Sequence, residues 1–259
     1  MYPEERQQAI ASLVMRRGRA SVNELAQAYD VTTETVRRDL AALDRAGMLR
    51  RVHGGAVPVR ASHLFAPAVG EEDVASSVRD EAIAAAAAKF FPPSGATVLL
   101  DSGATTTRIA ARLPADRSLV VVTNSVPIAA RLATLPSVTL QLLGGRVRAV
   151  SQAAVGDQTL RVLDTLRVDI AFVGTSALSV RHGLSTPDSD EAAVKRAMVR
   201  AADHVVVAAD SSKVGREAFV SFAPISSVDT LITDADISAA DSAELAEQGI
   251  EVLCVEGEW

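Results

Sequence analysis

The sequence predicts an α/β protein of two domains: a small helical domain over residues 1–57 and a larger domain with a mostly parallel sheet over residues 79–259, joined by a linker at 58–78. Three observations predict this. The chain has 259 residues, more than the roughly 100 to 150 of an average domain. Capped helical patterns fill the first part. Short apolar runs alternate with helical patterns in the second, the arrangement typical of a parallel sheet covered by helices.

Composition limits the class of protein. Hydrophobic residues make up 48% and charged residues 22%, typical of a folded globular chain. Because the sequence has neither an apolar run of roughly 20 residues nor an N-terminal signal pattern, we expect a cytoplasmic protein without a membrane partner. The single cysteine, Cys254, lies in an apolar stretch, and we expect it to be a buried core residue, not a nucleophile.

Charge is distributed unevenly along the chain. The formal net charge is −6, but residues 1–60 hold ten Arg and seven Asp or Glu, a net +3, which leaves −9 for the remainder. A positive N-terminal part on a negative body is expected when only the first part meets a phosphate backbone.

Two helices are predicted at the N-terminus. The first begins near Pro3, which suits a first helical turn, and ends before Gly18. The second begins with the capping box of Ser21 and Glu24 and ends near Tyr29.

The third helix and the residues after it predict DNA binding. Thr32 caps this helix, and Val36, Leu40 and Leu43 share its apolar face. Residues 48–57 then form two extended stretches around a glycine pair, so the domain is predicted to be a winged helix-turn-helix whose third helix reads the major groove. Taken singly, each arginine in the list that follows is explained equally well as part of an ordinary solvated surface. The candidate DNA-binding residues are Ser21, Thr32, Thr33, Thr35, Arg37, Arg38, Arg51 and His53.

The larger domain is predicted to have a Rossmann-like, doubly wound fold. An alanine-rich helix over residues 82–90 comes first, and later apolar runs alternate with amphipathic helices. The predicted strands are residues 98–100, 119–122, 138–143, 170–173, 205–208, 231–232 and 252–255.

Small polar residues follow most of these strands, where open α/β sheets bind ligands. The loop after the first strand, DSGATT at residues 101–106, combines a glycine, hydroxyls and a helix start, which is the chemistry of a phosphate cradle. We expect the loops to converge on one pocket for a polyol and its phosphate. The candidate ligand-binding residues are Asp101, Ser102, Gly103, Ala104, Thr105, Thr106, Thr123, Asn124, Ser125, Gly144, Gly145, Arg146, Gly174, Asp188, Glu191, Lys195, Asp210 and Lys213. For Glu191 and Lys195, four residues apart, an ordinary surface pair is the alternative.

Both parts resemble the DeoR-type transcriptional repressors. The N-terminal resemblance is carried by VTTETVRRDL at residues 31–40 and RVHGGA at 51–56, and that of the body by LDSGATT at 100–106, LGGR at 143–146 and DSSK at 210–213, among others. The resemblance implies a sensor domain related in fold to ribose-5-phosphate isomerase. It also implies operator double-stranded DNA and a phosphorylated sugar as partners, a homo-oligomer (dimer or tetramer), and DNA release on effector binding.

Two other functions remain open at this stage. A sugar-phosphate isomerase or deaminase would use acids and a base such as Asp101, Glu191 and Lys213, but the sequence contains no recognisable catalytic triad, redox cysteine pair or metal-ligand spacing. We therefore expect a regulator that is not an enzyme, with no catalytic residue, cofactor or metal. The N-terminal domain would alternatively serve only protein contacts. Whether the effector weakens or strengthens DNA binding is also open.

Overall fold

A computed structural model describes residues 6–7, 9–11, 13–14, 20–29, 31–45, 50–52, 55–57 and 74–256. The chain separates into two compact units, Met1–Ser62 and His63–Trp259. Most of the predicted linker lies outside the described residues. Its last positions, from 74 onward, belong to a helix of the second unit. The predicted helix start at Pro3, the stop at Gly18 and the tip of the wing at His53 also lie outside the described residues.

The N-terminal unit has the predicted three-helix order and a small sheet. Its elements are α1 (helical residues between 6 and 14), β1 (Ala20–Ser21), α2 (Val22–Tyr29), α3 (Thr33–Arg45), β2 (Arg50–Val52) and β3 (Gly55–Val57). The strands are antiparallel in the order β1-β3-β2, so the predicted wing pairs with a short strand that the sequence pattern did not indicate.

Local capping and a shared core form this unit. The capping box is confirmed, since Ser21 N donates to Glu24 Oε2 at 2.7 Å and Glu24 N donates to Ser21 Oγ at 3.2 Å. The apolar faces of all three helices meet in one cluster. Its fully or almost fully buried members include Ile10, Val14, Leu25, Val36, Leu40 and Leu43.

The second unit alternates strands and helices along most of its length. Its elements are α4 (Val74–Ala87) with a 3-10 turn (Ala88–Phe90), β4 (Thr97–Leu100), α5 (Ala104–Ala111), β5 (Leu119–Thr123), α6 (Val126–Leu132), β6 (Val138–Leu142), β7 (Arg146–Val147), β8 (Ala154–Val155), α7 (Asp157–Leu163), β9 (Ile170–Val173), β10 (Ala177–Ser179), β11 (Gly183–Thr186), α8 (Ser189–Ala201), β12 (Val205–Ala208), a 3-10 turn (Ser211–Lys213), β13 (Val220–Ala223), a 3-10 turn (Ile225–Ser227), β14 (Thr230–Asp234), α9 (Ala239–Glu247) and β15 (Glu251–Val255).

Seven of these strands form one parallel sheet in the order β15-β14-β12-β9-β4-β5-β6. All seven predicted apolar runs lie in it, and a hydrophobic cluster covers each face, which explains why the central strands are rich in Val and Leu. From β4 the chain continues to β5 and β6 on one side of the sheet, and from β9 it continues to β12, β14 and β15 on the other side. The predicted mostly parallel α/β class is therefore confirmed, with a switch point between β4 and β9.

Two details differ from the sequence-based expectation. Cys254 is exposed, so its prediction as a core residue was wrong: β15 is the edge strand of the sheet, and β14 is its one neighbouring strand. The strands β10, β11 and β13 form a separate antiparallel sheet that was not predicted, because the segments are only three or four residues long and are too short to show a period.

Candidate functional site

The start of α3 is fixed by a threonine cap. Thr35 N donates to Thr32 Oγ1 at 3.2 Å, and the two threonine hydroxyl oxygens lie 2.9 Å apart. The predicted cap is thereby confirmed. It also engages the hydroxyl of Thr35, which the sequence assigned to base contacts. Ser21 has a comparable capping role at the start of α2.

The exposed face of α3 carries the predicted cations. The side chains of Arg37 and Arg38 are 57% and 80% exposed, and both lie near Glu34, at 3.7 Å and 3.5 Å respectively. Thr33 is partly exposed beside them. The backbone of Arg51 lies in β2, whereas its side chain and the whole of His53 are outside the described residues. The structure thus places Thr33, Arg37 and Arg38 together on one helical surface.

A buried ion pair holds α3 against α1. Arg6 Nε donates to Asp39 Oδ2 at 2.6 Å, and Gln7 Nε2 donates to Asp39 Oδ1 at 3.0 Å. The neighbouring carboxylate raises the pKa of Arg6. Asp39 therefore serves the placement of the recognition helix. No sequence pattern indicates this ion pair, because Arg6 and Asp39 are 33 residues apart and meet only in the fold.

The ligand site predicted in the second unit lies at the switch point of the sheet. The loop Asp101-Ser102-Gly103 leaves β4 there and leads directly into α5. Gly103 has φ 151°, a conformation suited to glycine, and a Cβ at this position would approach only Thr106 Oγ1, at 3.3 Å. The first amides of α5 thus begin beside an open backbone surface, as an anion site requires.

The hydroxyls of this loop are used differently from the prediction. Thr105 Oγ1 donates to Asp80 Oδ1 on α4, and Thr106 Oγ1 donates to Gly103 O at 3.1 Å. These two hydroxyls hold the loop in shape. Contacts to an anion here would come from the backbone of residues 103–106 and from Ser102.

A buried ion pair lies directly behind the loop. Lys195 Nζ on α8 donates to Asp101 Oδ2 and, at 3.0 Å, to Gly174 O; Gly174 N also donates to Asp101 Oδ2, at 3.0 Å. Burial raises the pKa of the Asp101 carboxyl, while the Lys195 ammonium and the Gly174 amide act against this rise. Asp101 Oδ1 is buried with no hydrogen-bond partner among the described residues. The structure brings together three predicted residues from three elements.

Residues at the end of β5 are buried in the same region. Thr123 Oγ1 donates to Leu100 O at 2.7 Å and accepts from Ser125 N at 3.1 Å, and Ser125 Oγ caps α6. Asn124 Nδ2 donates to Ala154 O at 3.2 Å, while its Oδ1 is buried with no partner in the described part of the chain. Thr123 and Ser125 therefore shape the loop, and Asn124 retains an acceptor.

The glycine pair after β6 has a steric reason. Gly145 has φ 150°, and a Cβ there would lie 2.4 Å from Thr159 Oγ1 and 2.7 Å from Val155 O. Gly144 accepts a hydrogen bond from Thr159 Oγ1 at 2.6 Å. These two predicted residues thus let the chain turn tightly into β7. Arg146, which follows them, pairs with Asp190 at the surface.

The start of α8 carries a second charged group that includes Arg148, a residue the sequence analysis missed. Arg148 is 13% exposed and pairs with Glu191, and with Asp188 Oδ2 at 3.0 Å. Asp188 also caps α8 by accepting from the Asp190 and Glu191 amides. Glu191 thus pairs with Arg148, and Lys195 with Asp101, so the structure does not support the alternative that the two form an ordinary surface pair. The alternation Arg146-Val147-Arg148 was the available signal for Arg148, since alternate residues of a strand share a side.

Asp210 and Lys213 lie further along the sheet. They follow β12, and Lys213 Nζ is 3.0 Å from Asp210 Oδ2. Burial raises the pKa of Asp210, but Lys213 and Ser212 outweigh it and the pKa is lowered. Because β9 lies between β12 and β4, the two strands that lead to this pair and to the Asp101 loop are about 10 Å apart, or two strand spacings.

The described residues contain neither a metal-binding cluster nor a membrane-spanning helix. Among them, no group of three or more His, Cys, Asp or Glu side chains is arranged to hold a metal ion. Nor does any helix in those ranges have the length and apolar character needed to cross a membrane.

Together, a helix-turn-helix unit and an α/β unit with a polar site at its strand switch define a ligand-responsive transcriptional regulator. Residues 6–61 match the DeoR-like helix-turn-helix domain, and residues 77–235 match the DeoR C terminal sensor domain. The chain belongs to the DeoR family of transcriptional regulators, and the predicted resemblance is confirmed.

Relatives match along almost the whole chain. The HTH-type transcriptional regulator GlpR of Haloferax volcanii is 36% identical over 253 residues, covering 98% of each protein. The glycerol-3-phosphate regulon repressor of Escherichia coli K12 is 31% identical, covering 98% of this chain and all of that protein. Among solved structures, a probable sor operon regulator from Shigella flexneri is similar with a TM-score of 0.44 at 13% identity, covering 79% of this chain and 96% of that one. A ribose 5-phosphate isomerase from Plasmodium falciparum is similar with a TM-score of 0.39 at 14% identity, over 53% of each chain.

Proposed function

We propose that this protein is a repressor of carbohydrate-metabolism genes that binds operator DNA through its N-terminal unit and releases it when a phosphorylated sugar binds the second unit. The observation that carries the effector class is the loop at residues 101–106. It presents the first turn of α5 at the sheet's switch point, where helix N-termini and open strand ends favour phosphate.

The chemistry behind the loop supports a sugar as the rest of the effector. The unpartnered oxygens of Asp101 and Asn124 are acceptors that hydroxyl groups satisfy, and Lys195 and Arg148 supply cations nearby. Two relatives are named as repressors, one of the glycerol-3-phosphate regulon and one, putatively, of the aga operon of Escherichia coli O157:H7. Asp210 and Lys213 would contact only the far end of an extended effector.

DNA binding would use the exposed face of α3. Thr33, Arg37 and Arg38 would contact the major groove, and Arg51 and His53 of the wing would contact the backbone. A homo-oligomer, a dimer or a tetramer, would present two such units to half-sites about 34 to 36 Å apart or at multiples of this. Light scattering on the purified protein measures the oligomeric state.

Coupling between effector and DNA would pass through α4, which begins within the last positions of the predicted linker. Asp80 on α4 accepts a hydrogen bond from Thr105 in the effector loop, and Arg79 on the same helix lies 2.7 Å from Asp236 after β14. An effector that favours one arrangement of α4 changes operator affinity by its difference in affinity for the two states.

Catalysis is not part of the proposal. Incubation of the protein with each member of a sugar-phosphate panel, followed by NMR, should show no isomerisation or deamination above the rate without protein. Multiple turnovers of any member would replace the sensor proposal with an enzyme.

The effector site is tested by a pair of glycine substitutions. The ligand for this test is the sugar phosphate that raises the thermal unfolding midpoint of the wild type most. Gly103→Ala strains the loop at φ 151°, so its affinity for this ligand, measured by calorimetry, should be weaker by about tenfold or more. Gly95→Ala is the matched control, because Gly95 also has a positive φ and an added Cβ there would meet no atom. Gly95 precedes β4, so it lies at the amino-terminal end of the strand, away from the loop at the carboxyl end. Equal affinities for the two variants would remove the loop from the site.

A further inference from the structure

One exposed acid lies on the DNA-facing turn of the recognition helix. The Glu34 side chain is 62% exposed, with Arg37 Nη1 at 3.7 Å and Arg38 Nε at 3.5 Å from its carboxylate oxygens. It occupies the first turn of α3, between Thr33 and Thr35. The other acid described on this helix, Asp39, is buried against Arg6 and points into the unit.

An acid at this position stabilises the helix only modestly, because it lies at an exposed site where its carboxylate complements the positive end of the helix dipole. Ion pairs this exposed contribute little to folding, because solvent screens them and long side chains lose freedom in forming them. A carboxylate on this face weakens binding to DNA, because the DNA phosphates repel it and because it offsets the positive charge of two arginines. A contact between this carboxylate and a hydrogen-bond donor on the operator would offset that cost.

The bases of the major groove offer one such contact. The N4 amino group of cytosine donates a hydrogen bond there, and a carboxylate is the acceptor suited to it. Thymine O4 and guanine O6 and N7 are acceptors, which repel a carboxylate, and adenine sets its N6 donor beside the acceptor N7, so cytosine is the base that best matches a carboxylate. Thr35, the neighbouring candidate for base contacts, already has its hydroxyl in the helix cap.

We propose that Glu34 is a specificity-determining residue that accepts a hydrogen bond from the N4 amino group of one cytosine in each half-site. In the free protein, Arg37 and Arg38 hold the carboxylate on the groove-facing side. On the operator, the arginines turn to phosphate or guanine and the carboxylate turns to cytosine. The inference rests on the proposed binding of α3 to operator DNA, and it specifies one base that the helix recognises.

The test is selection of binding sites from a randomised duplex library by the full-length protein, followed by affinity measurements on the selected site. Four proteins are compared: wild type, Glu34→Ala, Glu34→Gln, and the control Glu24→Gln. The control removes one acid from the same unit outside α3, and glutamine keeps the acceptor of the capping box.

The proposal predicts an invariant C·G pair in each half-site for wild type and for the control. Replacing that pair with T·A should weaken binding of wild type about 5- to 150-fold and leave Glu34→Ala almost unaffected. Glu34→Gln should prefer adenine at the same position, since glutamine pairs with adenine N6 and N7.

Two results would overturn the inference. If wild type and Glu34→Ala select the same motif with the same preference at every position, Glu34 reads no base, although the proposed operator binding stands. If wild type enriches no motif, the operator-binding proposal itself fails and this inference falls with it.

Discussion

At the scale of single residues, the buried pair of Asp101 and Lys195 is the most informative feature of the second unit. The two side chains are 1% and 9% exposed, and they come from the end of β4 and from α8. Desolvation makes such a pair costly to break, because the remaining charge is buried alone. The pair therefore fixes α8 and its charged N-terminus against the effector loop.

Lys195→Met is predicted to destabilise the second unit by about 3 to 5 kcal/mol, since it leaves the Asp101 carboxylate without its cation. Burial already raises the pKa of Asp101, and without Lys195 it rises further. A raised folded pKa means that stability is lost as pH rises from the unfolded value, about 3.9, through the folded value. The loss, measured by urea unfolding, should thus be larger at pH 8 than at pH 5.

Two further variants control this prediction. Lys213→Met removes a lysine whose side chain is 31% exposed and paired with Asp210, and it should cost less. The double variant Asp101→Asn with Lys195→Met should lose the extra pH dependence. A Lys195→Met loss that is equal at both pH values would contradict the assignment of the effect to Asp101.

At the scale of elements, two acids of α3, Glu34 and Asp39, have opposite surroundings. Asp39→Ala removes the acceptor for Arg6 and Gln7, so it should lower the unfolding midpoint of the N-terminal unit by several degrees and weaken DNA binding in proportion. Glu34→Ala is the matched control on the same helix and should change the midpoint little, because its pairs are exposed. Thermal unfolding followed by circular dichroism compares them. Equal midpoints for the two variants would show that the Arg6 pair does not hold α3.

The contact between α4 and α5 gives a second prediction at this scale. Asp80→Ala leaves the buried hydroxyl of Thr105 without this acceptor, so the effector loop should lose its hold on α4. The ratio of DNA affinities without and with effector should fall towards one, while affinity without effector stays near the wild-type value.

Its control is the neighbouring residue on α4. Glu81→Ala removes ion pairs to Arg108 and Arg112 from a side chain that is 51% exposed, and the affinity ratio should be retained. Anisotropy titrations with labelled DNA measure the ratio in each variant. A wild-type ratio in Asp80→Ala would exclude Asp80 from the coupling.

The elements differ in how far the sequence predicts them. Long segments such as α3 were predicted because burial of one face leaves a periodic pattern, and runs of Val and Leu such as β5 because burial of both faces leaves a continuous apolar run. The cap by Thr32 was predictable because it is local. The partners of Asp39, Asp80 and Asp101 were not, since each lies 25 or more positions away and only the fold brings it near. Thr105 is an example: the sequence assigned its hydroxyl to the effector, whereas in the fold that hydroxyl donates to Asp80.

At the scale of the whole molecule, the charge distribution agrees with a division of labour between the units. The formal net charge is +3 over residues 1–60 and −9 over the rest. Affinity for DNA should accordingly fall as salt is raised, as expected for contacts to phosphate. A chain of this type regulates only if occupancy of the second unit changes the affinity of the first.

The most direct measurement is a fluorescence-anisotropy titration of the full-length protein on DNA from upstream of its own gene, at two salt concentrations. Each titration is made with and without a panel of sugar phosphates and the matching unphosphorylated sugars. The account predicts specific, salt-sensitive binding that one sugar phosphate weakens about 5- to 150-fold, while its unphosphorylated sugar does not. Absence of specific DNA binding, or turnover of a panel member by the protein, would contradict the account.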